Sequence, residues 1–297
     1  MLAYLNGQIL PRAAATIPVE DRGFIFGDGV YEVWRVVNGQ LFELDRHLAR
    51  LVYGLSELRI AAPEFATRDG ILTVAEKLLS GSGLETGEGT VYVQITRGSA
   101  PRTHAFPPEG TPPTVYATVN RFVPPEEARA RGVSVVTVPD LRWMRCNIKT
   151  LQLLPNVLAK QEASERSSME ALLVRDGVVT EGSHTNCIGV IDGVLRTHPL
   201  TNLILPGVTR AVVLELAREL GIPVSELAFN ESEISDLDEL FLAGTTSDVM
   251  PIVRVNDQTI GDGVPGPISL RLAAALRARI DSDCAAPPYL TSVSTTA

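Results

Sequence analysis

Four Asn-Gly or Asp-Gly dipeptides set between strand-like runs constrain this chain more than any other feature. Asn6-Gly7 divides LAYL from QIL, and Asn38-Gly39 divides YEVWRVV from QLFEL. Asp176-Gly177 and Asp192-Gly193 repeat the arrangement in the second half. A two-residue hairpin that matches the right-handed twist of its strands needs positive φ at both central residues, which Asn, Asp and Gly tolerate best. Hairpins in both halves imply antiparallel strand pairing in two places. Amphipathic stretches lie among them. Asp45 opens DRHLARLVYGLSEL, with apolar residues at Leu48, Leu51, Val52, Leu55 and Leu58, a helical spacing. A second helix is expected from Arg68 to Leu79, ended by GSG. The strands TVYVQITRG and TVYATVNRF then flank a Pro-rich loop, SAPRTHAFPPEGTPP, too irregular to be core.

Pro124-Pro125 reads as a linker. Beyond it come the strand VSVVTV, a loop holding Lys149, and a helix, NVLAKQEASERS. Another helix opens at GVTRAVVLELAREL, the strand ELFLAG runs into TTSD, and a last helix, SLRLAAALRARI, precedes a Ser/Thr/Pro tail expected to be loosely ordered. Hairpin-joined strands interspersed with helices indicate an α+β protein of two domains. The expected bounds are a small N-terminal α/β domain over 1–122, a linker at 123–127, a larger mixed β/α domain over 128–281, and a flexible tail over 282–297.

Composition narrows the chemistry. Of 26 basic residues only Lys77, Lys149 and Lys160 are lysines; the other 23 are arginines, which stay charged and cannot act as amine nucleophiles. A net charge of -9, spread along the chain, argues against nucleic-acid binding. No apolar run has the length of a membrane span, and the start of the sequence lacks a secretory pattern. Cys146, Cys187 and Cys284 show no paired spacing, so neither a disulfide framework nor a zinc site is expected, and the expected location is the reducing cytoplasm. The four histidines show no metal-ligand spacing, and dinucleotide, Walker and nucleophile-elbow motifs are absent.

Lys77 and Lys160 lie on polar helix faces and read as solvated charges. Lys149 sits in WMRCNIKTLQLLP between Ile148 and Leu151, where an amine can lose solvation and gain reactivity as a Schiff-base former. The same surroundings also suit a lysine whose stem packs while its tip reaches water. Gly207, Val208 and Thr209 in LPGVTR offer helix-start amides to an anion; Thr245 and Thr246 in AGTTSD offer hydroxyls; Arg50 offers a guanidinium fork. Each has an ordinary alternative as a helix cap, a turn or a surface ion pair. Glu181 in VVTEGSHTN could hold a ring nitrogen protonated, or be a solvated turn residue. Arg102 and His104 in the Pro-rich loop could bind a carboxylate, or merely be exposed.

Taken in order and spacing, DRGFIFGDGVYEVWRVVNGQLFELDRHLARL, RCNIKTLQLLPNVLAKQEA, TEGSHTN, ILPGVTR and FLAGTTSD resemble the fold-type IV pyridoxal-phosphate enzymes over Leu2 to Ile280. Tyr31 with SAPRTHAF is most similar to the D-amino-acid aminotransferases among them. The resemblance implies pyridoxal 5'-phosphate (PLP) carried as a Schiff base on Lys149, and ping-pong transamination between a D-amino acid and 2-oxoglutarate or pyruvate. It implies Glu181 facing the ring nitrogen, Leu205 beneath the ring, and Arg50, Val208, Thr209 and Thr245 around the phosphate. Tyr31, Arg102 and His104 would trap the substrate carboxylate, with Arg102 and His104 reaching the active site of the partner in a homodimer. His184 and Thr246 would also meet substrate, and His184 departs from the small hydroxyl residue of the family, while Ser183 and Thr185 remain as hydroxyls beside the cofactor. The alternatives in the same fold are an L-branched-chain aminotransferase, an (R)-amine transaminase and aminodeoxychorismate lyase. A PLP-binding protein without turnover is the alternative outside catalysis.

Overall fold

All four Asn-Gly and Asp-Gly dipeptides hold positive φ at both residues, from 47° and 92° at Asn6-Gly7 to 51° and 73° at Asp192-Gly193, and each closes a hairpin. A computed structural model describes residues 1–285. From 286 on, the tail expected to be flexible lies outside the described residues, and residues 282 and 283 close the last helix. The chain divides into two units, and neither is one continuous stretch. The first joins Met1–Val123 to the short segment Ile148–Gln152 and to the chain from Ile280; the second joins Pro124–Asn147 to Leu153–Arg279.

The first unit is built on six strands: β1 (Leu2–Leu5), β2 (Gln8–Pro11), β3 (Gly29–Val37), β4 (Gln40–Leu41), β5 (Glu88–Thr96) and β6 (Thr114–Arg121). They run in the order β2-β1-β6-β5-β3-β4, every neighbour antiparallel. Its helices are α1 (Arg22–Phe26), α2 (Leu44–Glu57) and α3 (Arg68–Ser80). Alternate residues point to opposite faces of a sheet, so Val30, Trp34 and Val36 of β3 share a core with Val91, Val93 and Ile95 of β5 and with α2 and α3. The buried stripe of α2 is Leu44, His47, Leu51, Gly54 and Leu55. Val52, one of the apolar residues that mark the helical spacing, is 40% exposed. Gly54 explains the rotation: a Cβ there would stand 3.0 Å from Val30, so the missing side chain lets α2 settle on β3 along the His47–Gly54 edge.

Ile148–Gln152 is added to this sheet by its backbone. Tyr31 N–H donates to the Lys149 carbonyl and Leu151 N–H to that of Gly29, each at 3.0 Å, and Val30 and Thr150 form an antiparallel bridge. Ile148 enters the same core.

The second unit begins with α4 (Glu126–Arg131), a short helix directly after Pro124-Pro125 where only linker and strand were expected. Its nine strands are β7 (Val133–Pro139), β8 (Glu170–Arg175), β9 (Val178–Gly182), β10 (Asn186–Ile191), β11 (Val194–Thr197), β12 (Val224–Ser225), β13 (Glu239–Gly244), β14 (Asp248–Val255) and β15 (Gln258–Thr259). The order is β12-β11-β10-β13-β14-β7-β8-β9, with β15 on β14. The pairs β14/β7, β7/β8 and β11/β12 are parallel, which makes the sheet mixed. The helices are α5 (Leu154–Glu165), α6 (Val208–Glu219) and α7 (Pro267–Asp283). α5 starts two residues earlier than its polar pattern suggested, because Pro155 occupies the first turn, where a missing N–H costs nothing. Among the described residues no helix is long and apolar enough to cross a membrane.

Candidate active site

The three lysines are treated very differently. Lys77 is exposed on α3. Lys160, expected to be solvated, is partly buried and donates its ammonium to the Met169 carbonyl, because α5 lies against β8. Lys149, itself half-buried, is clamped by its backbone between buried Ile148 and Thr150, and its Nζ lies 4.3 Å from the centre of the Tyr31 ring. An aromatic face attracts an ammonium and shields an amine from water on one side. Tyr31 is one of a row on the sheet face opposite the core: its ring is 5.9 Å from Tyr92, which is 6.4 Å from Tyr116. The Tyr92 hydroxyl donates to Gln94 at 2.8 Å and is pushed up to about 12 by burial and its tyrosine neighbours. Tyr92 and Tyr116 were legible as a row, since period two on paired strands puts them beside Tyr31.

Arg50 is not a surface pair. Its Nε and Nη2 donate to the two oxygens of Glu32 at 2.9 and 2.8 Å, and His47 Nδ1 stands 3.0 Å from the same carboxylate. Glu32 is completely buried. Burial alone would raise its pKa, but Arg50 and His47 hold it well below the carboxylate range. His47 is lowered by its own burial, against the pull of Glu32. Glu32 shares a strand face with Val30 and Trp34, so the pattern contained a buried charge in need of a cation. Arg102 and His104 are both exposed and both lean on Phe26, at 5.4 and 5.8 Å from its ring.

In the second unit Glu181 is buried near the end of β9. Its carboxylate accepts from Arg142, from Asn186 Nδ2 at 2.9 Å and from the Leu205 N–H at 3.1 Å. Burial nevertheless pushes it up to about 7. Arg142 is held in turn by Asp140, with Nε and Nη2 each at 2.9 Å. Burial would raise Asp140, yet Arg142 and Arg175 keep it down at about 2. Glu181, near 7, is neither firmly neutral nor firmly charged at neutral pH, so a cationic ring nitrogen beside it would tip it to carboxylate. Arg142 and Asn186 were missed by sequence reasoning. Asn186 follows Glu181 by five residues in TEGSHTN and could have been singled out; Arg142 left no local signal.

Asn186 also donates to the Leu205 carbonyl at 3.0 Å, fixing the ILPG segment. Gly207 follows as the N-cap of α6 with no side-chain cap bond. A Cβ at Gly207 would run into the Asn186 side chain, so glycine keeps a concave, amide-lined turn at Val208 and Thr209. Asn186 pairs with Ala243 across the sheet, which brings Thr245 and Thr246, in the turn after β13, to the same sheet end. Gly244 leaves 3.3 Å between a would-be Cβ and Thr185. The hydroxyls that remain at Ser183 and Thr185 donate to Glu170, at 2.5 and 3.1 Å. His184 Nδ1 stands 2.7 Å from that carboxylate, with its side chain still 46% exposed. Burial would raise Glu170, but His184 and Ser183 bring it to about 2. Among the described residues no group of three or more His, Cys, Asp or Glu could hold a metal ion.

The first unit therefore groups Lys149 with Tyr31 and, separately, Arg50 with Glu32 and His47. The second groups Glu181, Leu205, Val208, Thr209, Thr245 and Thr246 at one sheet end.

Comparison with known proteins agrees in kind. The family model described as Amino-transferase class IV matches residues 29–255. A Bacillus licheniformis protein named D-alanine aminotransferase is 42% identical over 96% of this chain and 99% of its own. A branched-chain aminotransferase structure from Thermoproteus uzoniensis, with norvaline, superposes with a TM-score of 0.84 at 26% identity, covering 97% of each chain. The Escherichia coli branched-chain amino acid aminotransferase reaches 0.86 at 23% identity over 93% of each, a likeness of fold.

Proposed function

The chain belongs to the class IV aminotransferase family, and from that premise we propose how its residues divide the work. The activity is transamination between a D-amino acid and a 2-oxo acid, with PLP as cofactor. The end-to-end likeness to D-alanine aminotransferases carries this reading over the L-branched-chain alternative, which has the shared fold behind it at lower identity.

The donor set fits PLP. A primary amine rests on an aromatic face at Lys149, and a buried acid near neutrality stands at Glu181. A glycine-hollowed helix start at Gly207 suits a phosphate. We assign Lys149 to the covalent link, Glu181 to the ring nitrogen and Leu205 to the ring face. Arg50, Val208, Thr209 and Thr245 are assigned to the phosphate. PLP held by these residues would supply an electron sink for the electrons freed when the substrate Cα–H bond breaks, and would store the amino group between the halves of a ping-pong exchange.

The protein's own part is proton handling and orientation. Once substrate has displaced it from the covalent link, Lys149 Nζ would take the proton from Cα and deliver it to the cofactor carbon that had carried that link; whichever face of the substrate presents its Cα–H to Nζ sets handedness. Tyr31, Arg102 and His104 fix that face by gripping the α-carboxylate, the guanidinium through paired N–H donors. Thr246 and His184 are assigned to the substrate side. Arg142 keeps Glu181 aimed and favours its charged form.

We propose that the active species is a homodimer in which Arg102 and His104 serve the partner's substrate. Their exposure within one protomer supports this, as do the exposed Leu154, Val157 and Leu158 on one face of α5. The three unbridged, buried cysteines suit a reducing cytoplasm. The test is Lys149→Ala. Borohydride reduction of the native holoenzyme should fix the cofactor on the peptide carrying Lys149, seen by mass spectrometry, and the variant should lose both that label and at least about 10³-fold of turnover. A fully active variant would sink the assignment.

A further inference from the structure

The loop over residues 99–113 carries Arg102 and His104 in the open, and its own hydrogen bonds are few. Thr103 N–H reaches the Pro101 carbonyl at 2.7 Å, and the Thr103 hydroxyl reaches that of Ala105 at 3.3 Å. What grips it from below is Arg22. Its Nη1 donates to the carbonyls of Thr103 at 2.8 Å and Ala105 at 3.4 Å, the residues on either side of His104. Arg22 is 4% exposed and stands at the start of α1. That helix is closed at both ends, by the Asp21 side chain on Gly23 N–H at 2.8 Å and by left-handed Gly27.

The other side of Arg22 ends on Asp28, its Nε at 2.8 Å. Asp28 also takes Arg97, Nε at 2.8 Å and Nη2 at 3.0 Å. Arg97 gives its remaining donors to the carbonyls of Leu58 and Arg59, at 2.7 and 3.0 Å. Phe106, just past the gripped carbonyls, lies over the Arg97 guanidinium at 3.7 Å. Two guanidiniums thus share one carboxylate, and the surplus positive charge is satisfied by backbone carbonyls. If Thr103 and Ala105 swung away, Arg22 would be left buried with acceptors missing, a costly state. The loop is therefore clipped to Asp28 by way of both arginines. Asp28 directly precedes β3, whose Tyr31 N–H holds the Lys149 carbonyl, and Gln152 Nε2 binds the Phe26 carbonyl at 3.2 Å. One short stretch of backbone sets both the lysine and the loop.

We propose that Arg22 is a positioning residue for substrate recognition: by gripping the Thr103 and Ala105 carbonyls it sets where Arg102 and His104 meet the substrate carboxylate. This rests on the reading of those two residues as the carboxylate trap. Arg22 touches no substrate, so its loss should weaken carboxylate capture and leave proton transfer at Lys149 intact. Lysine offers a point charge in place of a fork and should restore only part of the effect.

The experiment compares purified holoenzymes carrying R22M, R22Q, R22K and, as a control on the underlying reading, R102M. Steady-state kinetics with D-alanine and 2-oxoglutarate are measured beside hydrogen exchange over residues 101–106. The expected result for R22M is a D-alanine KM raised roughly tenfold to a hundredfold, kcat within about threefold, faster exchange in the loop, and partial recovery in R22K. R22Q carries the same test should R22M not fold. A raised KM in R102M with an unchanged KM in the Arg22 variants would overturn the proposal and leave the trap standing. A fall in kcat with KM unmoved would also overturn it, since that marks general damage to the fold. An unchanged KM in R102M would overturn the trap itself, and the proposal with it.

Discussion

At Glu181 burial and hydrogen bonding pull in opposite directions, and the outcome is a pKa near 7 in place of the ordinary 4.5. The native state therefore keeps its proton where an unfolded chain has lost it. Stability from this group is fully present below about 4.5, falls as pH rises toward 7, and is level above that. Glutamine is neutral throughout, so the melting temperature of cofactor-free E181Q relative to the native protein should climb by a few degrees between pH 5 and pH 7.5. Differential scanning calorimetry across that range checks it, and a flat difference would contradict the assignment. Glu170 and Asp140, both held near 2, act the other way: the stability they contribute is lost as pH falls below the carboxylate range. They are common to both proteins and cancel in the comparison. The holoenzyme should also lose turnover in E181Q by about 10²-fold or more, because glutamine cannot carry the charge that keeps a ring nitrogen protonated; initial rates at saturating substrate measure it.

Among the elements, the start of α6 depends most on a missing side chain. Gly207→Ala would press a methyl group into Asn186, the residue that ties Glu181 to Leu205. The expected result is PLP affinity weakened about tenfold or more, a loss of roughly 1.4 kcal/mol per factor of ten, read by equilibrium dialysis of the cofactor. The contrast between elements also shows what a sequence can disclose. The hairpins were plain because left-handed backbone selects Asn, Asp and Gly locally. The helix expected over Arg68 to Leu79 was equally plain from the GSG that ends it, and it runs to Ser80 with Thr67 as its cap. The apolar spacing of α2 did not mark its buried face, because a glycine, which no hydropathy pattern weighs, decides how closely the helix lies on β3. Lys149, Glu181 and the anion-suited turns were singled out in short motifs, and the ordered resemblance to the family gave them their proposed roles. Their supports were not: Arg142 stands 39 residues from Glu181, and Arg22 is 81 residues from the Thr103 carbonyl. Side chains that bind a distant backbone carbonyl leave no periodic trace.

At the scale of the whole molecule, α5 shows Leu154, Val157 and Leu158 to solvent at 69%, 58% and 62% exposure, on one face of the helix. Apolar exposure of this kind suits a surface buried by association, and a second copy is the proposed cover. A V157E/L158E double variant should therefore run at half the native mass by light scattering, with its circular dichroism unchanged. A native protein that is already monomeric at micromolar concentration would refute the dimer. The division of the chain into two units has a further meaning for heredity. The five residues from Ile148 to Gln152 are encoded within the second unit's stretch and housed by the first. No single breakpoint in the gene can pass one unit to a descendant with its chemistry whole: a recombination that carried off Met1–Val123 would leave the amine behind, and one that carried off the remainder would take it without the strand that holds it. Within this architecture the two units are bound to be inherited, and varied, together.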